Sequence, residues 1–142
     1  MSAKVKTYPK IGEIYYMKFE GRGNEQCGWR PGLVFQNNLG NKFSPNIIAL
    51  PLTSKIKKTN QPTHTLLTAS ESGLPRDSMV LCENPKCMSK EFIGGYITTI
   101  SDEQMSEVAT SYLLATAAIS FINIEALPKI WEQSYTLNSI TV

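Results

Sequence analysis

Histidine is nearly absent from this chain of 142 residues, since His64 is the only one. One chain therefore cannot supply an acid–base pair made of two histidines. The sequence also lacks a Gly-x-Ser-x-Gly nucleophile elbow, a phosphate-binding Gly-x-x-x-x-Gly-Lys loop and a His/Cys cluster with metal-ligand spacing. These absences disfavour metal-assisted hydrolysis, and we expect neither a metal ion nor another cofactor.

Cysteine is scarce and odd in number, with Cys27, Cys82 and Cys87. An odd count without paired spacing argues against both a zinc site and a disulfide-stapled secreted scaffold. Small packing groups in a reducing compartment are the simpler interpretation. We expect a cytoplasmic protein.

Long apolar runs are lacking as well. The longest, residues 112–122, is interrupted by Thr116 and Ser120 and falls short of the roughly 20 residues that a membrane span needs. Residues 1–10 have no apolar core of the kind found in signal peptides. We expect neither secretion nor membrane insertion.

Composition places the chain among globular proteins, with 42% hydrophobic and 18% charged residues. Its length suits one domain over residues 1–142. A formal net charge of +2 is too small to indicate a strongly basic nucleic-acid binder. Any anionic partner must therefore be attracted by a local patch.

Short strands dominate the first two thirds of the chain. Strand-favouring residues and flanking turn residues predict strands at 13–18, 32–36, 47–52, 63–68, 78–83 and 96–100. The glycines of residues 19–24 predict a mobile loop, and residues 37–41 a hairpin-like reversal.

The pattern changes to a helix at Ser101, which forms a capping-box pair with Gln104 three residues later. Met105, Val108, Tyr112, Ile119 and Ile122 follow with helical spacing. Pro128 should end this helix or start a break. The tail with Ile130, Trp131 and Tyr135 predicts a further helical turn.

Together these elements predict a mainly β protein with a C-terminal helix, in which a small curved antiparallel sheet or barrel carries the helix. A helix that is apolar on nearly every side over residues 112–122 has more apolar surface than one small sheet covers. We therefore expect a homodimer. The alternative is a helix sandwiched within one monomer.

Arg30 is the candidate chemical centre, because it stands where a polar, glycine-bearing loop enters the apolar strand. Its charge is permanent, and Pro31 restricts its backbone, so its guanidinium is suited to a bound anion such as phosphate. Pattern alone would favour a structural ion pair with Glu25 or Asp77.

A series of motifs reaches a family resemblance. It opens at Gly12-Glu13-Ile14-Tyr15 and is clearest in Glu25-Gln26-x-Gly28-x-Arg30-Pro31-x-Leu33-Val34-x-Gln36-Asn37. It continues in order through Gly40-Asn41-x-x-Ser44-Pro45, Thr53-Ser54-x-Ile56-x-Lys58, Pro62-Thr63-His64, Gly73-Leu74-Pro75-x-Asp77-Ser78 and Ser101-Asp102-Glu103-x-Met105. Over about residues 11–110 the chain resembles the MazF/PemK/Kid family of toxin endoribonucleases.

The resemblance implies an SH3-like or CcdB-like barrel that forms a homodimer. It implies metal-independent, sequence-selective cleavage of single-stranded RNA, and neutralisation by an antitoxin protein. Contact with operator DNA is implied only through the antitoxin complex. A stretch from about residue 101 would then comprise the C-terminal helix and an extension that exceeds the usual family length.

The resemblance also assigns the site residues. The catalytic arginine and threonine of the family correspond to Arg30 and Thr53, and a loop glutamate that some members need corresponds to Glu25. Substrate-contacting positions correspond to Asn24 and Gln26. Each has a plainer alternative: Thr53 as an ordinary strand residue, and Glu25 as a solvated loop charge.

Further RNA contacts are expected at Asn84 and Lys86, where many members carry Glu-Gln-Ile-Arg and this chain has Glu83-Asn84-Pro85-Lys86. Lysine lacks the two-pronged geometry of arginine, so the sequence preference is expected to differ. Possible platforms for stacked bases are Trp29, Phe19 and Phe43, and a possible phosphate track is Lys55, Lys57 and Lys58. The alternatives are aromatic residues that cover the barrel end and a solvated basic loop.

Two other functions remain open from the sequence. One is a toxin of the same architecture that poisons a protein target such as DNA gyrase, although the presence of both Arg30 and Thr53 argues against it. The other is a catalytically silent interaction module, which the apolar helix and the altered segment 84–86 favour.

Overall fold

The computed structural model describes residues 8–21, 28–56 and 61–140. The strands are β1 (Glu13–Phe19), β2 (Gly28–Val34), β3 (Asn46–Thr53), β4 (His64–Leu67), β5 (Ser78–Leu81), β6 (Lys86–Ser89) and β7 (Ile93–Thr99). The helices are α1 (Asn38–Phe43), α2 (Ala69–Ser72), α3 (Asp102–Ala115), α4 (Ala118–Phe121) and α5 (Leu127–Asn138), with 3-10 turns at Lys90–Phe92 and Ile124–Ala126. No helix in the described ranges has the length and apolar character to cross a membrane.

The strands form one antiparallel sheet in the order β4-β5-β3-β2-β1-β7, and β6 pairs with β3 beside β5. Register shifts around Tyr15 in the β1–β7 pairing are bulge-type irregularities, which bend and twist a sheet. One 3-10 turn joins β6 to β7, which lie at different places in the sheet. The mainly antiparallel prediction is confirmed, but the described strands do not close by hydrogen bonding, so the closed barrel is not confirmed.

Two apolar clusters lie on the two faces of the sheet, because alternate residues of a strand point to opposite sides. We call them cluster A and cluster B. Cluster A contains Ile14, Leu33, Leu50, Leu52, Leu67, Leu74, Val80, Cys82, Ile100 and Val108. Cluster B contains Met17, Phe19, Val34, Ile47, Ala49 and Met88. Helix α3 supplies Val108 and covers cluster A, whereas cluster B is enclosed by the curving strands and the Lys90–Phe92 turn.

The segment expected to form a hairpin-like reversal at residues 37–41 is instead the start of α1. The Asn37 side chain accepts a hydrogen bond from the Gly40 amide at 2.9 Å and caps the helix. The buried Asn41 amide donates to the Gln36 carbonyl at 2.8 Å. The asparagines therefore satisfy helix-end and buried backbone groups, which turn statistics alone do not distinguish from a tight turn.

Helix α3 begins as predicted, with the reciprocal capping box of Ser101 and Gln104. The expectation of one helix continuing to Pro128 was wrong. At Thr116 the backbone becomes extended (ψ 165°), and the Thr116 hydroxyl donates to the Tyr112 carbonyl at 3.2 Å. Pro128 lies in the first turn of α5, where its missing N–H is tolerated, so it starts a helix.

The C-terminal segment of residues 116–140 contains no buried residue. Helix α5 is attached to α1 through Asn138, whose side-chain oxygen accepts from the Asn38 amide at 3.3 Å. The Asn138 carbonyl accepts from the Asn38 side-chain amide at 3.0 Å. Large apolar side chains stay exposed along this segment, including Phe121, Ile124, Trp131 and Tyr135.

Candidate functional site

Arg30 and Thr53 lie at the same end of two paired strands. The β2–β3 register pairs Gly32 with Pro51 and Val34 with Ala49. The pairing ends at Gly32–Pro51. By alternation along each strand, Arg30 lies on the same side as Val34 and Thr53 on the same side as Ala49, which both belong to cluster B, and Arg30 and Thr53 are half-buried.

Gly32 has no side chain, so side chains of cluster B pack directly against the β2 backbone close to Arg30. A Cβ at this position would lie 2.6 Å from Met17 Sδ and 2.8 Å from Phe19 Cζ. Met17 is the β1 partner of Arg30 and is fully buried. The backbone of β2 is therefore fixed against packed side chains where it presents the guanidinium.

Thr53 ends β3 in a short turn. Its hydroxyl oxygen accepts a hydrogen bond from the Lys55 amide at 3.2 Å. A hydroxyl has one proton to donate as well as lone pairs, so this bond orients the oxygen and leaves the proton for another acceptor. On its other side Thr53 pairs with Met79 of β5.

Asn84 and Lys86 lie in and after the turn that follows β5. Lys86 is opposite Ala49 in the β3–β6 register and thus on the same face as Arg30. The Asn84 amide donates to the Leu81 carbonyl at 3.1 Å. His64 Nε2 lies 2.7 Å from Glu83 Oε1 and ties this turn to β4.

Trp29 lies on the opposite side of β2 from Arg30, as alternation along a strand requires. It pairs with Lys18 of β1, and its ring is the nearest side chain to a Cβ built at Gly94 of β7. The ring is 59% exposed. Trp29 is therefore available for stacking, but on a different surface from the guanidinium.

Several expected residues fall elsewhere. Glu25, Asn24 and Gln26 lie outside the described residues, as do Lys57 and Lys58. Phe43 is 69% exposed at the end of α1, where Lys42 Nζ lies 5.1 Å from its ring centre. The Asp77 carboxylate accepts a hydrogen bond from the Ala69 backbone amide at 2.7 Å and so stabilises the start of α2.

Burial raises the pKa of two groups in the fold, Cys82 and Tyr15. Burial raises the pKa of the Cys82 thiol to about 11. Burial, with the neighbouring charge of Glu13, also raises the pKa of Tyr15. Neither group is charged at neutral pH, so neither is suited to act as a nucleophile or base there.

A cavity of about 280 Å³ lies between the end of β1 and β6. Its floor is apolar and includes Phe19, Met88 and Phe92, while Lys18, Glu20, Lys86 and Ser89 contribute polar groups. This cavity was not predicted from the sequence, because β6 itself was not predicted. Among the residues that the structure describes, no group of three or more His, Cys, Asp or Glu side chains is arranged to hold a metal ion.

Most of the chain is similar to known proteins. Residues 10–113 match the family described as the PemK-like, MazF-like toxin of type II toxin-antitoxin systems. The chain is 37% identical over 113 residues to Endoribonuclease EndoA of Bacillus subtilis (strain 168), a match that covers 79% of this chain and 97% of EndoA.

Solved structures show the same fold. MazF (Form-I) from Deinococcus radiodurans superposes with a TM-score of 0.65 at 22% identity, covering 77% of this chain and 96% of that one. An endoribonuclease in complex with its cognate antitoxin from a mycobacterial species gives a TM-score of 0.62 at 23% identity, covering 75% and 93%.

Proposed function

Because this chain belongs to the PemK-like, MazF-like family of type II toxins, we propose that this endoribonuclease cuts single-stranded RNA at selected sequences without a metal ion. The observation that carries the proposal is the register of β2 and β3. It supports one permanent cation and one hydroxyl acting together at the same end and on the same face of the sheet. Such a pair can stabilise the charge that develops when an RNA phosphodiester is cleaved.

The reaction uses a nucleophile that RNA carries itself. The 2′-oxygen gives up its proton and attacks the adjacent phosphorus, and the bond from phosphorus to the 5′-oxygen breaks while that oxygen takes up a proton. The products are a cyclic 2′,3′-phosphate and a strand with a 5′-hydroxyl group. DNA has no 2′-hydroxyl and should resist cleavage.

Arg30 stabilises the negative charge that grows on the phosphate oxygens in the transition state. A guanidinium presents parallel N–H donors that match two phosphate oxygens. Its fixed position beside packed side chains lowers the cost of reorganisation. Thr53 adds a hydrogen bond through its remaining hydroxyl proton.

The general base is assigned to Glu25. Arg30 is unsuited to that role, because a guanidinium stays protonated at neutral pH. A carboxylate in the loop before β2 can accept the 2′-hydroxyl proton when RNA is bound. The RNA strand would be held by Asn24 and Gln26, which neighbour Glu25 in the sequence, and by Asn84 and Lys86. Trp29 would be available to stack on an RNA base that passes the edge of β2.

The protein partner is an antitoxin, as in the relatives solved in such complexes. An acidic, flexible antitoxin segment imitates an RNA backbone, so it would occupy the face that carries Arg30 and Lys86. Contact with operator DNA would then arise only through that complex. We further propose a cytoplasmic homodimer, which the exposed apolar side chains support, although not through the single long helix that the sequence suggested.

Gyrase poisoning is not favoured as the alternative, because the compared proteins are described as endoribonucleases. A silent interaction module is likewise disfavoured, since Arg30 and Thr53 are both retained. Incubation with RNA and, separately, with gyrase distinguishes these accounts, because only the RNA account yields new RNA ends.

The direct test is cleavage of single-stranded RNA in excess chelator. Arg30→Ala should lower the rate by about 10²–10³-fold or more, the effect of losing one preorganised donor. Arg76→Ala is a matched control, because Arg76 is exposed in a loop away from β2. Full activity of Arg30→Ala, or cleavage that depends on an added metal ion, would contradict the proposal.

A further inference from the structure

We propose that the cavity between the end of β1 and β6 binds one nucleobase of the RNA strand, next to the phosphate at Arg30, and so contributes to the choice of cleavage sequence. This inference rests on the proposed RNA cleavage. It adds a binding site formed by Phe19, Met88, Phe92, Glu20, Ser89 and Lys86.

Two residues that line the cavity, Phe19 and Met88, belong to cluster B, on the side of the sheet that carries Arg30. A Cβ built at Gly32, two residues along β2 from Arg30, would meet Met17 and Phe19. Met88 pairs with Ile47 of β3. This shared side supports a path for the RNA strand from Arg30 to the cavity.

Size and lining favour a base over a larger ligand. The volume of about 280 Å³ is slightly below the range of roughly 300–1,000 Å³ typical of small-molecule pockets. Phe92 is half-buried and offers aromatic surface, while the buried Phe19 and Met88 form an apolar floor. Flat, uncharged nucleobases bind such surfaces by stacking, and single-stranded RNA exposes them.

The lining carries two lysines, Lys18 and Lys86, and one carboxylate, Glu20. The lysines attract the backbone phosphates on either side of a bound base, and the Glu20 carboxylate accepts a hydrogen bond from an exocyclic amino group. The Ser89 oxygen accepts from the Glu91 amide at 3.4 Å, so its proton remains to be donated to a base. Lys86 lies at the same cavity and supplies positive charge for the backbone that leads out of it.

The test uses RNA oligonucleotides made uncleavable by a 2′-O-methyl group at the scissile nucleotide, with one base removed at each position in turn. For the unaltered protein, one abasic position next to the scissile phosphate should weaken binding about tenfold, the scale of one lost stacking contact. Phe92→Leu should weaken binding of the intact oligonucleotide by a similar factor, and removal of the base at that position should then cause no further loss. Phe92→Tyr keeps the aromatic ring, so removal of that base should still weaken its binding about tenfold.

The outcomes separate this inference from the proposed function. The cavity does not bind a base if Arg30-dependent cleavage is present but no single base removal weakens binding more than the others. The same conclusion follows if base removal still weakens binding of the Phe92→Leu variant at that position. If no RNA is cut, the proposed function fails and the cavity proposal falls with it. Thermal melting checks that Phe92→Leu is folded.

A second variant keeps the test decisive should Phe92→Leu unfold. Ser89→Ala removes only the hydroxyl at the cavity and should change base preference at the same nucleotide position and at no other. Cleavage of a randomised RNA pool, read by sequencing the new ends, measures this. An unchanged preference with Ser89→Ala, together with a flat abasic scan, would overturn the proposal.

Discussion

The sheet with α3 and the C-terminal segment of residues 116–140 are held by different forces. The sheet places two clusters of buried apolar side chains on its two faces. In the C-terminal segment no residue is buried, and the attachment of α5 to α1 includes the Asn138–Asn38 hydrogen bonds. Apolar burial is the dominant favourable term in folding, so the sheet is stable by itself. The C-terminal segment depends on its contacts with the sheet domain to stay ordered.

The family match follows the same division, because it ends at residue 113, just before α3 ends. The face that carries Arg30 and Thr53 thus belongs to the well-packed part. The C-terminal segment contributes surface, and only Glu125, Lys129 and Glu132 are charged among residues 116–142. Such a surface can change over evolution without disturbing the placement of Arg30.

The largest effect should come from opening cluster A. Leu50 is fully buried, and Leu50→Ala should lower the free energy of unfolding by about 2–5 kcal/mol through lost burial and a residual cavity. Ile130 in α5 is 44% exposed, and Ile130→Ala should cost less than about 1 kcal/mol. Urea denaturation measures both values. Equal losses would mean that α5 is as firmly packed as the sheet.

Gly32→Ala should be the next largest, because the added Cβ meets Met17 and Phe19 within 3 Å. Displacing packed side chains typically costs about 1–3 kcal/mol, and here it should also slow RNA cleavage by shifting the strand that carries Arg30. Gly95 is the matched control. A Cβ there meets no atom of the described residues within 4 Å, so Gly95→Ala should be nearly silent in melting and cleavage assays.

Alkaline pH should weaken the sheet through Cys82. Its pKa is raised to about 11 by burial, whereas the ordinary value is 9.0, so the unfolded chain loses the thiol proton first. Stability is therefore fully present below about pH 9 and falls until about pH 11, by at most about 3 kcal/mol for a two-unit shift, since one pKa unit corresponds to about 1.4 kcal/mol. Unfolding free energies between pH 8 and 11 should fall less steeply in Cys82→Ala. Parallel curves would assign the alkaline loss to other groups.

The smallest effect should come from the attachment of α5. Asn138→Ala removes the side-chain acceptor of the Asn38 amide, a change worth about 0.5–1.5 kcal/mol. Hydrogen exchange should quicken in α5 and leave β2 and β3 unchanged. Ser139→Ala is the control, because the Ser139 hydroxyl bonds only within its own helix end, to the Tyr135 carbonyl. Faster exchange throughout the sheet would show that the two regions fold as one unit.

Local sequence signals predicted some elements of the fold, and elements that depend on distant contacts were missed. The capping box at Ser101 and Gln104 is local, so the start of α3 followed from the sequence. Strand β6 was missed because Lys86–Ser89 is short and its identity depends on pairing with Asn46–Ala49. The break at Thr116 was missed because apolar spacing on either side continues, whereas the Thr116 hydroxyl donates to the Tyr112 carbonyl and the backbone there leaves the helix.

The same holds for the candidate site. Ordered motifs singled out Arg30 and Thr53, but only the register of β2 with β3 put them on one face, and only alternation along β2 put Trp29 on the other. The sequence by itself determined the chemistry available, since residue types and short-range signals are local. The tertiary structure decided which groups meet and where the cavity lies, because strand pairing and curvature arise from contacts between residues distant in the chain.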